Sequence, residues 1–139
     1  MQFQEAQHVL VYEFMSNELM SEKFFFEKLD VYQKSLGFAI DLCKVASNFH
    51  YKFSRIRDQL IGAGISVPLN IAEGSGRKFE KEKRSFYKIS RTSLFECIPI
   101  LEICLNLNLI DKSQHKDFRG RAEEISKMLN GLIRSLNIS

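Results

Sequence analysis

The stretch of sequence that decides the fold is Ser66-Val67-Pro68-Leu69-Asn70-Ile71-Ala72-Glu73-Gly74. It closes a run that begins at about Arg55 and is rich in small side chains, at Gly62, Ala63, Gly64, Ser66 and Ala72. Small side chains permit the close approach of a neighbouring backbone. Pro68 gives up a backbone donor, so it predicts a kink inside the run. We therefore expect a helix from about Arg55 to Glu73 that packs closely against another helix.

Hydrophobic periodicity on both sides of this run predicts three further helices. Together the four helices are expected at about residues 30–49, 55–73, 78–107 and 111–136. Capping-box patterns open the first and the last of them, Asp30 with Gln33 and Asp111 with Gln114. Short connections favour antiparallel packing of sequential helices. The expected fold is all-α, an antiparallel up-down four-helix bundle.

The chain has 139 residues, of which 45% are hydrophobic, enough for one domain whose core needs no metal or disulfide. We assign the bundle to residues 24–139 and a segment of mixed polarity, residues 1–23, to an N-terminal extension. The odd number of cysteines, Cys43, Cys97 and Cys104, favours free thiols in a reducing cytoplasm. No apolar run approaches the roughly 18 residues of a membrane span, and the start of the chain lacks a signal-peptide pattern. We expect a soluble, cytoplasmic protein with no membrane contact.

Positive charge is concentrated in one segment of the chain. Residues 77–91 hold seven basic side chains against two glutamates, although the whole chain carries only +3. Steps of four, three, four and three residues place five of these side chains on one face of the third helix: Arg77, Lys81, Arg84, Lys88 and Arg91. At 1.5 Å per residue this stripe is about 21 Å long, and its spacing suits several phosphates of RNA or DNA. The alternative interpretation is a solvated charged face.

The second half of the third helix is apolar on nearly every side, which is typical of a helix buried on every side. One four-helix core is too small to cover it all, so part of it is expected to contact another subunit. The expected interface residues are Leu94, Phe95, Ile98 and Leu105. The alternative is that the N-terminal segment wraps around this half of the helix. Pro99 lies within it and predicts a bend or a local break.

Asn70 and Glu73 lie three residues apart on a helix whose other residues are mostly small or apolar. We expect both to face Arg91 on the third helix and to act as a structural polar pair. A catalytic carboxylate is the alternative interpretation. It would need a second carboxylate, a histidine or a nucleophile nearby, and none lies at motif spacing.

Other catalytic and metal-binding patterns are missing from the sequence as well. The three histidines, His8, His50 and His115, are scattered. A di-iron bundle needs two Glu-x-x-His motifs, and the chain has one, at Glu5-Ala6-Gln7-His8. Gly74-Ser75-Gly76 is more simply a turn between helices than a phosphate loop, because no strand precedes it. We expect no enzymatic activity, no cofactor and no metal.

Four segments carry a resemblance to a known family: residues 29–34 (Leu-Asp-Val-Tyr-Gln-Lys), 66–74 (quoted above), 91–96 (Arg-Thr-Ser-Leu-Phe-Glu) and 126–133 (Ser-Lys-Met-Leu-Asn-Gly-Leu-Ile). From about Phe26 to the C-terminus the chain resembles the bacterial four-helix-bundle proteins encoded in intervening sequences of large-subunit ribosomal RNA genes. The resemblance implies an antiparallel bundle that assembles into a homopentameric barrel, with a nucleic-acid-binding role and no known catalysis. Related bundles are accessory proteins of reverse transcriptases in diversity-generating retroelements.

The chain departs from the family pattern at three places. Gln59 is followed by Leu60, Ile61 and Gly62 where the family usually has a pair of arginines, so the third helix must carry the positive charge alone. Ile98-Pro99-Ile100 stands where the family prefers polar residues, which makes that surface more apolar. The N-terminal extension is the third difference, since a start at Met20 would give a family-typical length.

The sequence therefore predicts a non-enzymatic, oligomeric helical bundle that binds the backbone of RNA or DNA through the basic stripe. Because no exposed aromatic cluster suited to base stacking is recognisable, binding should be largely independent of base sequence. The alternative is a protein-interaction or scaffold module, for example an accessory subunit of a reverse transcriptase. Such a module would recruit its partner through the apolar surface of the third helix.

Overall fold

The computed structural model describes residues 24–137 and folds this part of the chain into four α-helices with no strand. The helices are α1 (Asp30–Ala46), α2 (Ser54–Ser75), α3 (Glu80–Asn106) and α4 (Lys112–Arg134). Short 3₁₀ turns, Phe25–Lys28 and Tyr51–Phe53, precede α1 and α2. Each helix packs against the next, and α4 returns to α1. The predicted four-helix bundle is confirmed; the N-terminal extension predicted at residues 1–23 lies outside the described residues.

The first and last helices begin in different ways, although the same capping pattern precedes both. At α4 the Asp111 carboxylate accepts from the Gln114 N–H at 2.7 Å, and the Gln114 side chain accepts from the Asp111 N–H at 2.9 Å. This capping box is confirmed. The one predicted for α1 is wrong, because Asp30 is already inside the helix and Gln33 donates to the Glu27 carbonyl at 2.9 Å. The Asp30 carboxylate lies in the first turn instead, where the helix dipole favours negative charge.

α1 ends at Ala46, three residues before the predicted end at Phe49. Backbone hydrogen bonds of 3.1 Å, from Asn48 to Val45 and from Phe49 to Ala46, turn the chain over the end of the helix. Phe49 is therefore only 8% exposed and packs in the core, although it lies outside the helix. The hydrophobic period identified a core residue here, but it did not locate the turn.

The core is one apolar cluster to which all four helices contribute. Its fully buried side chains include Phe38 and Leu42 of α1, Leu60, Val67 and Ile71 of α2, Leu94 and Leu101 of α3, and Ile125 and Leu129 of α4. Burial of an aliphatic or aromatic side chain contributes about 1.5–3 kcal/mol relative to its exposure. The cluster is therefore the principal source of the bundle's stability.

α2 and α3 form the most extensive helix pair, and a glycine sets their separation. A Cβ added at Gly74 would lie 2.9 Å from both the Phe86 Cβ and the Tyr87 ring. Real Cβ atoms do not come so close to their neighbours. On the other side of α2, a Cβ at Gly64 would lie 2.9 Å from the end of the Leu42 side chain. The predicted close approach is confirmed at both helices that pack against α2.

Serine hydroxyl groups form hydrogen bonds between α2 and α3. Ser90 donates to the carbonyl of Val67 at 2.8 Å, in a fully buried contact. The hydroxyl oxygens of Ser66 and Ser93 lie 2.8 Å apart. An unsatisfied buried polar group costs about 1–3 kcal/mol. A rotated or shifted α3 would lose these bonds, so they fix its register against α2.

Both prolines lie inside helices that continue past them. Pro68 is buried in α2, and Pro99 is exposed in α3, which runs without interruption for 27 residues. Each proline removes one backbone donor. The local break that we predicted at Pro99 as one of two outcomes does not occur, because Cys97 and Leu101, on either side of it, are buried in the core and hold α3 in place.

α1 and α4 are joined by an aromatic contact and two ion pairs. The Phe38 and Phe118 rings meet edge to face, with centroids 6.0 Å apart. The Arg121 guanidinium lies 5.9 Å from both ring centroids, and its Nη1 lies 2.9 Å from the Asp41 carboxylate. Lys34 of α1 pairs with Glu124 of α4. Lys34 and Arg121 are thus neutralised within the chain.

Two glycines of α2 provide a matched test of the close approach. Through helix propensity alone, alanine in place of either Gly62 or Gly74 would stabilise the helix by about 0.5–1 kcal/mol. A Cβ at Gly62 meets nothing within 4 Å, so Gly62→Ala should stabilise the protein slightly. Gly74→Ala should destabilise it by about 1–3 kcal/mol, because the methyl group overlaps Phe86 and Tyr87. Urea unfolding at one protein concentration measures both, and equal stability of the two variants would contradict the close packing.

Candidate nucleic-acid interface

Lys81, Arg84 and Lys88 lie exposed on one side of α3, as the sequence predicted. Arg91 continues the row but is half-buried, and its Nη1 donates to the side-chain oxygen of Asn130 on α4 at 2.8 Å. At 1.5 Å per residue the four cations extend over about 15 Å. The α3 part of the stripe thus borders α4, and its last member is tied to that helix.

Arg77, predicted as the first member of the stripe, lies in the connection before α3. It pairs with Glu73, with Nη2 and Oε1 2.5 Å apart, and its guanidinium lies 4.7 Å from the centroid of the Phe86 ring. The helical spacing does not apply to it because α3 begins only at Glu80. Its placement on the stripe is therefore wrong.

α4 adds cations that the sequence analysis missed. Arg134 lies beside Arg84, because both line a shallow cavity of about 230 Å³ together with Ile133 and Leu136. Lys127, seven residues before Arg134, lines a second cavity next to α3. We call these six residues the basic face: Lys81, Arg84, Lys88 and Arg91 of α3, and Lys127 and Arg134 of α4. The available sequence signal was the seven-residue spacing of Lys127 and Arg134, with Asn130 between them.

No carboxylate among residues 24–137 lies within 4.0 Å of a cation of the basic face. Some cations elsewhere are paired, for example Arg121 with Asp41 and Lys34 with Glu124. Others, such as Lys28, Lys52 and Lys112, also have no carboxylate within 4.0 Å among residues 24–137, so the basic face differs from them in grouping its cations on one side of the bundle. The face ends where Glu102 of α3 lies 3.0 Å from His115 of α4. Its positive charge is therefore available to an anionic partner.

The predicted polar pair of Asn70 and Glu73 with Arg91 does not form. Asn70 donates to the Ser66 carbonyl at 2.7 Å, Glu73 pairs with Arg77, and Arg91 turns toward α4. The reason is the rotation of α2, which leaves Glu73 exposed on the outside of the helix. Neither residue holds α3 in place; the serine contacts do so instead.

The residues predicted for a subunit interface differ widely in exposure. Leu94 is fully buried in the core, which removes it from any subunit contact. Ile98 and Leu105 are half-buried and pack against the core. Phe95 is 52% exposed. α2 and α4 cover two sides of α3, and Phe95 and Ile103, which is 48% exposed, remain uncovered by the described part of the chain.

A larger apolar surface, which residues 24–137 leave uncovered, lies between α1 and α2, where the sequence analysis predicted none. This apolar groove has a volume of about 570 Å³ and is lined by Phe26, Tyr32, Leu36, Ala39, Ile40, Cys43, Lys44, Ile65, Pro68, Leu69 and Ala72. Leu69 and Ile40 are 61% and 44% exposed. Periodicity alone assigns such residues to the core, because an apolar groove and a core continue the same stripe.

The buried thiols have no features of catalytic groups. Burial raises the pKa of Cys97 to about 12 and that of Cys104 to about 11. Both thiols therefore stay protonated near neutral pH and pack as small apolar groups. Within the described part of the chain, no three His, Cys, Asp or Glu residues gather in a way that would hold a metal ion. None of its helices is long and apolar enough to cross a membrane.

Alkylation should distinguish the three cysteines. The thiolate is the reactive form, and burial keeps Cys97 and Cys104 protonated at about pH 8.5. Cys43 is only half-buried and lines the apolar groove. Iodoacetamide followed by peptide mass spectrometry should label Cys43 of the native protein faster than Cys97 and Cys104, and all three residues equally after unfolding. Native labelling of Cys97 as fast as that of Cys43 would contradict the buried core.

Comparisons with known proteins bear on this fold. Residues 27–131 match a family model described as 23S rRNA-intervening sequence protein. A search of curated proteins finds no match. The crystal structure of a protein of unknown function from the S23 ribosomal protein family of Bacteroides thetaiotaomicron is similar, with a TM-score of 0.69 and 24% identity. The similarity covers 76% of this chain and 99% of that one, and it shows the shared fold.

Proposed function

We propose that this chain, which belongs to the 23S rRNA-intervening sequence protein family, binds the phosphate backbone of RNA or DNA through its basic face and catalyses no reaction. The observation that carries the proposal is the row of exposed cations on α3, extended by α4, with no carboxylate close to it in residues 24–137. Unpaired cations on a rigid helix neutralise phosphates and release condensed counterions.

The dimensions of the face suit a nucleic-acid strand. Phosphates of one strand of a duplex are about 3.4 Å apart along the axis, so the 15 Å row on α3 spans about four of them. Arg134 lies next to Arg84 and Lys127 next to the C-terminal end of the row, which widens the face across α4. Contacts of this kind position a strand without reading its sequence.

Assembly would strengthen such binding. The resemblance to ring-forming bundles leads us to propose a homo-oligomer, a pentamer in particular. Each copy would then present its own basic face, and weak individual contacts would add wherever one strand reaches several copies. The total charge of +3 per chain alone would give only weak attraction, so the local concentration of charge matters more.

The basic face can be tested by removing its charge while keeping its helix. The triple variant Lys81→Gln, Arg84→Gln, Lys88→Gln retains side chains of high helix propensity, so the fold should persist. We expect affinity for mixed-sequence RNA and DNA at about 50 mM salt to fall about tenfold or more. The log-log salt dependence should become shallower by about 0.9 for each duplex phosphate contact that is lost. Fluorescence anisotropy titrations at several salt concentrations measure both quantities.

A matched control removes the same charge from other surfaces. Lys28, Lys52 and Lys112 are exposed and lie outside the basic face, so their triple replacement by glutamine should change affinity much less. No binding by the wild type, or equal losses in both triple variants, would overturn the nucleic-acid proposal.

The apolar groove favours a second candidate function, that of a scaffold. A groove of about 570 Å³ with a single charged residue, Lys44, in its lining suits an apolar helix better than a charged polymer. Its occupant would be another copy of the chain in the proposed oligomer. In the scaffold alternative it would be a partner protein, such as a reverse transcriptase that uses the bundle as an accessory subunit.

Leu69 is the residue through which to test assembly. Leu69→Asp places a carboxylate in the groove, and burial of that unpaired charge in an interface costs several kcal/mol. Leu69 is 61% exposed, so the single chain should still fold. We expect light scattering to give a multiple of 16.2 kDa for the wild type and a smaller assembly for the variant.

Gln59→Asp is the control, since Gln59 is exposed on α2 and does not line the groove. A wild type that is monomeric at micromolar concentration would remove the oligomer and leave the groove to a different protein partner. A Leu69→Asp protein with unchanged mass would show that assembly uses another surface.

A further inference from the structure

We propose that the pocket between α3 and α4 receives one unpaired nucleobase of a single-stranded RNA or DNA bound along the basic face. The proposal rests on the proposed function of that face and adds a specificity to it, namely a preference for single strands over duplexes. The pocket is lined by Leu94, Phe95, Ile98, Arg119, Ala122, Glu123, Ser126 and Lys127.

The floor and size of the pocket suit a flat ring. Phe95 and Ile98 of α3 face Ala122 of α4 across it, and Phe95 keeps 52% of its surface exposed. The volume is about 280 Å³, below the range of about 300–1,000 Å³ typical of pockets that enclose drug-sized ligands. The space therefore fits a single ring system, and an exposed aromatic side chain is the usual stacking partner of an unpaired base.

The position of the pocket continues the basic face. Phe95 follows Arg91 by four residues, about 6 Å along α3 and on the same side of the helix. Lys127 belongs both to the basic face and to the rim of the pocket. A strand whose phosphates follow Lys88 and Arg91 would therefore bring its next base over Phe95.

The charge of the rim also favours a polyanion. Arg119 and Lys127 stand at the rim beside one carboxylate, Glu123, which lies 3.6 Å from the Arg119 side chain. The pairing leaves Lys127 as surplus positive charge. The groove between α1 and α2 contrasts with this pocket, because Lys44 is the only charged residue in its lining and no basic row leads to it.

A base reaches such a pocket only when it is not held in a duplex. Bases in a double helix are stacked and paired, whereas single strands splay their bases onto aromatic side chains. The sequence analysis recognised no exposed aromatic cluster suited to base stacking, and this proposal differs from it by assigning stacking to a single residue. Phe95 counted there as a core or subunit-contact residue, and only the packing of α4 beside α3 shows it at the end of the cation row.

The experiment compares three probes of about 12 nucleotides: oligo(dT), a strand of the same length made of abasic units, and a duplex. The abasic strand carries the same phosphates and lacks only the bases. We expect the wild type to bind oligo(dT) about 5- to 140-fold more tightly than the abasic strand, the effect of one stacked base. Phe95→Ala should lose that preference and keep its affinity for the abasic strand and the duplex.

Phe25→Ala is the matched control, because Phe25 is also an exposed phenylalanine, at 66%, but lies in the turn before α1. Its preference for oligo(dT) should equal that of the wild type.

Equal binding of all three probes by the wild type, or an unchanged preference in Phe95→Ala, would overturn the base pocket while backbone binding stands. Failure of the wild type to bind any probe would instead overturn the proposed function, and the pocket with it. A smaller assembly of Phe95→Ala in light scattering would identify Phe95 as a subunit contact and overturn the pocket alone.

Discussion

The close contact of α2 with α3 is the constraint on which the rest of the structure depends. Gly74 leaves room for Phe86 and Tyr87, and the bond from Ser90 to the Val67 carbonyl fixes how α3 is rotated. A helix rotated by one residue turns through about 100°, which would carry a polar row from solvent into the core. The contacts on the buried side of α3 thus determine that Lys81, Arg84 and Lys88, on its opposite side, face solvent.

The bundle divides its surface between two kinds of interaction. Ion pairs such as Arg121 with Asp41 neutralise charge between α1 and α4, while the six cations of the basic face have no carboxylate within 4.0 Å in the described structure. Charge attracts a partner over roughly a Debye length, about 8 Å at physiological salt. An apolar groove acts only on contact. The two surfaces are separate, so the proposed polyanion and the proposed protein partner would not compete for one site.

The exposed cation row does not itself stabilise the N-terminal half of α3. Like charges at spacings of three and four residues oppose a helix by about 0.2–0.5 kcal/mol for each pair, and Lys81, Arg84 and Lys88 have that spacing. The helix persists because Tyr87 and Ser90 are buried against α2 and supply the packing that the exposed row does not. Repulsion within the row is consistent with selection for a function other than stability.

The sequence by itself determined the class of fold, the approximate spans of all four helices, the cap at Asp111 and the row from Lys81 to Arg91, because each depends on local spacing along one helix. It also determined that α2 approaches a neighbouring helix closely, because the small side chains of α2 leave room for that helix. Only the tertiary structure decided which groups meet across helices: Arg91 with Asn130 rather than Glu73, Arg134 beside Arg84, and Leu94 in the core rather than at an interface. Periodicity gives the face of a helix but not the rotation of its neighbour, and that rotation follows from contacts between residues far apart in the chain. The apolar groove and the pocket at Phe95 arise between helices, so no single stretch of sequence contains them.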